Sequence, residues 1–308
     1  MNGLRAAVDD YLAIRRALGY SLNRDGHLLP NFVAYLEATG ADSVTTALAL
    51  AWAVQPSNAH PHWWRQRLGI VRGFARYLNS IDPLNEVPPT DLLPAHRPRI
   101  TPYLYSDEEI ANLLAAARTL SPEFRAATYE TLVGLVVVTG LRIGEAIGLN
   151  RNDVDLEQGS IVVRRAKFGK TREVWLHDST IDPLRAYART RDQHWPVAAA
   201  PRFFLSARGT ALKSSIVHYT FRQLVRAAHL EGRGTRCRPR PHDLRHSFAV
   251  RTLLAWYRAG LEVEPQLPLL STHLGHIKPA STYWYLQAAP ELLAIAGQRL
   301  ENLLGELP

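Results

Sequence analysis

Cysteine is almost absent from the sequence. A single cysteine, Cys237, cannot form an internal disulfide, and one cysteine is too few for a zinc site built from several cysteines. A chain of 308 residues must then be stabilised by hydrophobic cores, and this length suffices for two ordinary domains. We therefore expect a two-domain protein in a reducing compartment.

Long apolar runs are also missing. No stretch approaches the roughly 18 consecutive apolar residues that a transmembrane helix requires, and charged residues interrupt the first apolar segment every few positions, unlike a signal peptide. The sequence thus predicts a soluble protein, cytoplasmic or associated with the nucleoid, without a membrane partner.

Acidic residues are fewer than basic ones and are scattered. The chain has 28 Asp and Glu against 36 Lys and Arg, a formal charge of +8. This excess favours a polyanion partner such as nucleic acid, although charge alone gives only nonspecific attraction. No cluster of Asp and Glu resembles the two-magnesium site of many nucleases, and the two imidazoles of His60 and His62 are too few for a metal site. We expect no cofactor and no metal.

Proline is concentrated in one segment. Six prolines lie between Asp82 and Tyr103, where they remove backbone donors and disfavour helix. The sequence is therefore divided into a helical domain at residues 1–88, an extended linker at 89–103 and a second domain at 104–308.

The first domain has helical periodicity throughout, with helices expected near 4–18, 22–38, 43–54 and 59–80. In the last of these, apolar residues from Trp64 to Leu78 form a buried stripe. Arginines on another face suggest contact with a nucleic-acid groove, and a solvated basic face is the alternative. The candidates for DNA contact in this half of the chain are Arg65, Arg72 and Arg76, with Arg97 and Arg99 in the linker.

The second domain mixes helices with one hairpin. Ser106 and Glu109 form a capping box that begins a helix, and a long apolar helix follows through Ala127 to Val138. The segment SIVVRRAKFGKTREVWL places two β-branched runs around a turn, as in a hairpin. The fold class is thus mainly α with a small β-hairpin or sheet. Further helices are expected at 180–191, 213–230, 243–259 and 290–304.

Charged and reactive residues lie in the second domain where no structural need explains them. Arg142 follows an apolar run, so its guanidinium should either pair with Glu145 or face a bound anion. His242 and Arg245 are three residues apart and share one helix face. Tyr283 and Tyr285 are two residues apart on a helix, so only one of them can serve a given site. A further histidine, His276, ends the short segment LGH just before these tyrosines.

These side chains are suited to phosphodiester chemistry. The planar forks of Arg142 and Arg245 match phosphate oxygens and can stabilise developing charge. A tyrosine hydroxyl needs help to become a nucleophile, which His242 can give by accepting its proton. A lysine of the hairpin turn, Lys167 or Lys170, can protonate the leaving oxygen. This combination favours transesterification through tyrosine over metal-assisted hydrolysis.

TGLRIGEAIGL, the hairpin lysine, HDLRHSFA, LGH and a tyrosine nine residues later resemble, in order and spacing, the tyrosine recombinase (phage integrase) family. The resemblance covers residues 104 to 296, and RLGIVRGFARYL resembles the family's helical core-binding domain more loosely. It implies two domains that clamp a DNA duplex. The implied catalytic residues are Arg142, Lys167 (or Lys170), His242, Arg245, His276 and Tyr285, with Glu145 supporting them. Apart from the resemblance, Arg240 lies in the most basic part of the chain, residues 231 to 251, and is a further candidate for DNA contact.

The resemblance also implies a reaction. The nucleophilic tyrosine would form a 3′-phosphotyrosyl link without ATP or metal, in a tetramer on two DNA sites, for integration, excision or resolution of a mobile element. Accessory proteins are possible partners. The segment PELLAIAGQRLENLLGEL would dock on a neighbouring subunit or fold back on its own domain. The alternatives are a type IB topoisomerase-like enzyme and a non-catalytic DNA-binding protein of the same fold.

Overall fold

The computed structural model describes residues 2–94, 101–164, 171–234, 237–276 and 280–288, and the single positions 292, 294, 297 and 301. The chain divides into two compact units, Met1–Arg99 and Ile100–Pro308. Four predicted site residues lie outside the described residues, as does most of the predicted C-terminal helix. They are Arg97, Arg99, Lys167 and Lys170.

The first unit is a four-helix domain, as the periodicity predicts. Its core is largely aliphatic and contains two aromatic pairs. The ring of Phe32 packs edge-on against Trp52 at 5.2 Å between centroids, and that of Phe74 against Tyr11 at 5.7 Å. Edge-to-face packing of buried rings adds specific attraction to the burial of apolar area. The helices are α1 (Asn2–Ala17), α2 (Asp25–Ala38), α3 (Thr46–Val54) and α4 (Pro61–Asn79).

Helix α4 has the expected two faces. The ring nitrogen of His60 accepts a hydrogen bond from the His62 backbone at 3.1 Å, so this histidine caps the helix, and Pro61 occupies its first turn. The apolar stripe is buried between Leu68 and Leu78, which confirms the prediction for that face.

The second unit begins with α5 (Asp107–Arg118) and α6 (Glu123–Thr139). The predicted capping box is present, because the Glu109 backbone donates to the Ser106 hydroxyl at 3.1 Å and the Ser106 backbone donates to the Glu109 carboxylate at 2.8 Å. Helix α6 ends at Gly140, whose left-handed φ of 63° suits glycine. The short helix α7 (Ile143–Ala146) follows at once.

A three-stranded antiparallel sheet comes next, formed by β1 (Val154–Asp155), β2 (Ser160–Val163) and β3 (Arg172–Trp175) in that order. Val163 pairs with Arg172 in the β2–β3 register, which confirms the predicted hairpin strands. The side chains of Ile161, Val163 and Val174 are buried in the core of this unit.

Among the described residues up to Ala288, five further α-helices follow in the second unit: α8 (Asp178–His194), α9 (Ser214–Ala227), α10 (Pro241–Arg258), α11 (Leu267–Leu274) and α12 (Ala280–Ala288). Helix α10 packs against α6 and α12, and α11 packs against α12 and β3. These contacts bring the segments of the candidate site together. Within the described part of the chain, no helix combines the length and apolar character needed to cross a bilayer.

Candidate active site

Arg142 stands between the end of α6 and the start of α7. Its Nη1 donates to Glu145 Oε1 at 2.7 Å and its Nη2 to the Gly275 carbonyl at 3.3 Å. The side chain nevertheless keeps 28% of its surface exposed. Arg142 therefore pairs with Glu145, one of the two alternatives raised by the sequence, and its contact with an anion stays a prediction.

Glu145 is shared between two arginines. Arg172 of β3 donates to both of its carboxylate oxygens, at 2.8 and 3.2 Å, and the Arg142 backbone donates at 3.0 Å. Burial alone would raise the pKa of this carboxyl, but the hydrogen bonds and charge of Arg172, together with the bonds from Arg142, lower it to about 2. Glu145 is therefore a fixed negative charge at neutral pH.

Arg245 lies on α10 with only 1% of its surface exposed. Its Nη1 donates to the Gly140 carbonyl at 2.8 Å and its Nη2 to the Leu274 carbonyl at 2.5 Å. Burial and the charge of Arg142 lower its pKa to about 10, so the guanidinium stays protonated at neutral pH. Two carbonyls therefore hold this cation in one orientation.

The structure distinguishes the two tyrosines of α12. Tyr285 is 2% exposed, and its ring stacks on His276 at 6.0 Å and 21° between ring planes and contacts His246 at 5.4 Å. Burial raises the pKa of its hydroxyl, whereas the charges of Arg245 and Arg142 lower it. Tyr283 is 44% exposed. Tyr285 is thus the tyrosine that joins the arginine and histidine residues.

Two histidines, His246 and His276, contact this tyrosine, and a third, His242, contacts His246. His276 Nδ1 hydrogen-bonds the buried Thr282 hydroxyl at 2.8 Å, and the rings of His242 and His246 meet edge-on at 4.7 Å. Burial and the nearby arginine charges lower the pKa of His276 to about 4. Desolvation of the ring by the side chains around it, together with the charges of Arg245, Arg142 and Arg240, also lowers the pKa of His242, although part of the surface of this residue remains exposed. Both rings are neutral at pH 7 and able to accept a proton.

His246 was not predicted from the sequence. It follows His242 by one helical turn on α10, and that spacing was the available signal. Its ring also contacts Trp284 at 5.2 Å, and its buried Nδ1 has no hydrogen-bond partner among the described residues. Burial, followed by the charges of neighbouring residues, lowers its pKa to about 3. His246 therefore packs beside Tyr285 as a neutral aromatic ring.

These histidines should make stability depend on pH. A histidine whose pKa is lowered on folding binds fewer protons than in the unfolded chain, so its stabilisation is complete above about pH 6.5 and lost on acidification toward pH 4. The contribution of Glu145 to stability is lost only at lower pH, between about pH 4.3 and 2. We expect the thermal midpoint to fall from pH 7.5 to pH 5, and to fall less in His246→Phe, which keeps the ring contacts. A midpoint that is equal at both pH values would contradict these environments.

The arginines predicted to contact DNA differ in their surroundings. The Arg72 guanidinium donates to the carbonyls of Pro88 and Pro89 at 2.6 and 2.5 Å, and Arg240 makes two bonds of 2.9 and 2.8 Å to Asp243. Arg65 is half-buried, and Arg76 is exposed. Their contact with DNA stays a prediction, with Arg76 the most accessible.

The catalytic lysine also stays a prediction, because Lys167 and Lys170 lie outside the described residues. Strand β3, which follows them in the sequence, reaches the site through the contact of Arg172 with Glu145. In the described ranges, no three His, Cys, Asp or Glu side chains are grouped closely enough to bind a metal ion.

Comparison with known proteins identifies the family. The model of the phage integrase family matches residues 104–292. The putative integrase/recombinase y4rB of Sinorhizobium fredii is 45% identical over 308 residues, which cover 98% of each chain. The tyrosine recombinase XerA of Thermococcus kodakarensis is 26% identical over 95% of this chain and 89% of its own.

Solved structures share the fold. The Tn1549 transposon integrase in complex with transposon right end DNA superposes with a TM-score of 0.66 at 17% identity, over 97% of this chain and 99% of that one. The XerH recombinase bound to palindromic difH substrate superposes with a TM-score of 0.63 at 20% identity, over 89% of this chain and 77% of that one. The chain belongs to the phage integrase family and is a tyrosine-type site-specific DNA recombinase.

Proposed function

We propose that this recombinase cleaves and rejoins DNA through a 3′-phosphotyrosyl link to Tyr285, and so integrates, excises or resolves a mobile element. One observation carries the proposal. The ring of Tyr285 is buried against His276 and His246, and the charges of Arg245 and Arg142 act on its hydroxyl. A buried tyrosine beside two cations suits attack on a phosphate rather than simple packing.

The two arginines bind the scissile phosphate. Each guanidinium has five N–H donors, and Arg142 and Arg245 each use one N–H of Nη1 and one of Nη2 on protein partners. Three further N–H donors of Arg142 remain for phosphate oxygens, whereas Arg245 also hydrogen-bonds the Tyr285 hydroxyl and so has two. Because their protein bonds fix both groups in advance, they can stabilise the negative charge of five-coordinate phosphorus without reorganisation.

Proton transfers follow from the neutral histidines. As the Tyr285 oxygen bonds to phosphorus, its proton passes to His242 or His276, both of which are neutral at pH 7. The P–O bond to the 5′ oxygen breaks, and this oxygen takes a proton from the hairpin lysine, which we assign to Lys167 with Lys170 as the alternative. The product is a 3′-phosphotyrosyl protein and a free 5′-hydroxyl.

Rejoining reverses these steps. The 5′-hydroxyl of a partner duplex attacks the phosphotyrosyl link and releases Tyr285, so the bond energy is retained and no ATP is consumed. Exchange between two duplexes requires several subunits, and we propose a tetramer on two sites held together through the C-terminal segment. The lambda integrase tetramer bound to a Holliday junction, which shares the fold at a TM-score of 0.58, supports this assembly.

The mobile-element role is inferred from the comparisons. The y4rB relative is named an integrase/recombinase, and the Tn1549 structure is that of a transposon integrase. We therefore propose double-stranded recombination sites at the ends of such an element as the substrate, on DNA in the cytoplasm. Accessory recombination proteins are compatible partners.

A nicked DNA substrate tests the proposed reaction. Duplexes spanning the ends of the element, nicked beside the cleavage site so that a short fragment is lost, are incubated with the wild-type protein in EDTA. We expect a complex that withstands SDS, a 5′-hydroxyl that polynucleotide kinase labels, and a DNA-bearing tryptic peptide that contains Tyr285. A peptide without Tyr285, or a complex formed only when magnesium is added, would overturn the mechanism.

A further inference from the structure

The C-terminal end of α11 lies directly before His276. The last carbonyls of a helix have no partner within the helix and must find one elsewhere. Here the His276 backbone donates to the Ser271 carbonyl and the Gly275 backbone to the Thr272 carbonyl, both at 2.9 Å. These two bonds form the turn that commonly ends a helix at a left-handed glycine.

The next three carbonyls, of residues 273 to 275, each accept a hydrogen bond from a different arginine. The three arginines come from three separate elements, β3, α10 and the start of α7. The end of α11 therefore fixes three guanidinium groups relative to one another and to the histidine that follows. The bonds are Arg172 Nε to His273 O at 2.8 Å, Arg245 Nη2 to Leu274 O at 2.5 Å and Arg142 Nη2 to Gly275 O at 3.3 Å.

Two of these arginines, Arg142 and Arg245, are the proposed phosphate ligands. The third arginine, Arg172, bonds only protein groups. Its side chain is only 10% exposed, and all three of its nitrogens donate to protein, Nε to His273 and the other two to Glu145. A side chain at Gly275 would bring its Cβ to 2.7 Å from Arg172 Nη1. Glycine at this position thus serves both the left-handed backbone and the close approach of Arg172.

We propose that Arg172 is a positioning residue for cleavage, which holds Glu145 and the end of α11 so that Arg142 points toward the phosphate. Arg172 and Arg142 both hydrogen-bond the Glu145 carboxylate, so Arg142 cannot occupy both of its oxygens. Without Arg172, the carboxylate is left to Arg142 and draws its guanidinium into a two-bond pair, away from substrate. This inference rests on the proposed roles of Arg142 and Tyr285.

Arg172 also connects the hairpin to the rest of the site. It lies on β3, two residues after Lys170 in the sequence, and it bonds both α11 and the residue that supports Arg142. Strand β3 is thereby attached to the pair formed by Arg142 and Arg245. Removing Arg172 should therefore lower the rate of cleavage through the displacement of Arg142, and not the affinity for DNA.

The test uses the full-length Arg172→Lys and Arg172→Ala proteins on the nicked duplex. We expect DNA affinity near that of the wild type, because the Arg172 side chain is only 10% exposed and each of its nitrogens already donates to protein. The single-turnover rate of covalent complex formation should fall about 10²-fold, the loss expected when a catalytic group is displaced by about 1 Å. Arg118→Lys is the matched control, because Arg118 also bonds a glutamate, Glu130, at 2.7 Å but on the exposed surface. It should cleave at the wild-type rate.

A purely structural role makes a different prediction. It would lower the thermal midpoint and the folded fraction but leave the rate per DNA-bound protein unchanged, measured well below the midpoint at saturating DNA. Because Arg172 acts through Glu145, Arg172→Lys combined with Glu145→Gln should lose little more than the worse single variant.

The outcomes separate the positioning role of Arg172 from the proposed phosphotyrosyl reaction. Wild-type rates in Arg172→Lys, or rate losses that multiply in the double variant, overturn the positioning role while the proposed function stands. Absence of the covalent complex with the wild-type protein overturns the proposed function and this inference with it. If Arg172→Ala does not fold, the Lys variant decides.

Discussion

Tyr285→Phe is expected to lose all formation of the covalent DNA complex. The hydroxyl oxygen is the atom that bonds to phosphorus, so no partial activity should remain. Phenylalanine keeps the ring that packs on His276 and His246, so folding and DNA binding should be retained. The measurement is the covalent band from nicked duplex on a denaturing gel, with DNA binding followed in parallel.

Tyr283→Phe is the matched control, because it removes the same hydroxyl from the same helix. Its side chain is 44% exposed and lies two residues from Tyr285, on a different face. We expect it to form the covalent complex at close to the wild-type rate. A complex that survives in Tyr285→Phe but disappears in Tyr283→Phe would show that the nucleophile is the exposed tyrosine.

Arg245→Lys should damage both activity and stability. An ammonium lacks the planar fork, so it cannot bond the carbonyls of Gly140 and Leu274 and still present two donors to phosphate. Loss of one preorganised donor of this kind costs about 10²–10³ in rate. A buried carbonyl left unpaired costs about 1–3 kcal/mol in the free energy of unfolding. Single-turnover cleavage and thermal unfolding measure the two effects separately.

Arg142→Lys provides the comparison that separates these effects. Arg142 is 28% exposed, so water can replace the hydrogen bonds that lysine does not make. This variant should bind DNA and cleave poorly, with a thermal midpoint closer to the wild type than that of Arg245→Lys. Near-normal cleavage by Arg142→Lys would count against the phosphate-binding role of the arginine pair.

The sequence alone predicts the local features well. The buried stripe of α4, the capping box of α5 and the hairpin strands depend on side-chain periodicity and on contacts between near neighbours. Helical spacing also shows that Tyr283 and Tyr285 point in different directions, and that His242 and Arg245 share a face. Only the resemblance to the recombinases connects Arg142, Arg245 and Tyr285, because periodicity carries no information on contacts between distant segments.

Long-range partners explain what the sequence does not reveal. Arg172 lies 27 residues from Glu145 and 101 from His273, and nothing in its neighbourhood distinguishes it from the other arginines. Arg72 and Arg240 show the converse. Both belong to basic segments suited to DNA, yet backbone carbonyls bind one and Asp243 binds the other. Positive charge in a sequence identifies a candidate, whereas its function depends on which acceptors the fold brings near.

The arginine arrangement at the end of α11 also has a thermodynamic consequence. Arg142 and Arg172 pair with a single carboxylate, Glu145, and Arg245 lies close enough to repel both arginines, so these four side chains carry a net charge of two positive units. The folding free energy of the catalytic domain includes this repulsion. A phosphodiester brought to the site neutralises part of it, and by linkage the DNA that binds there stabilises the fold that binds it. The recombinase is thus least stable when it has no DNA site to act on.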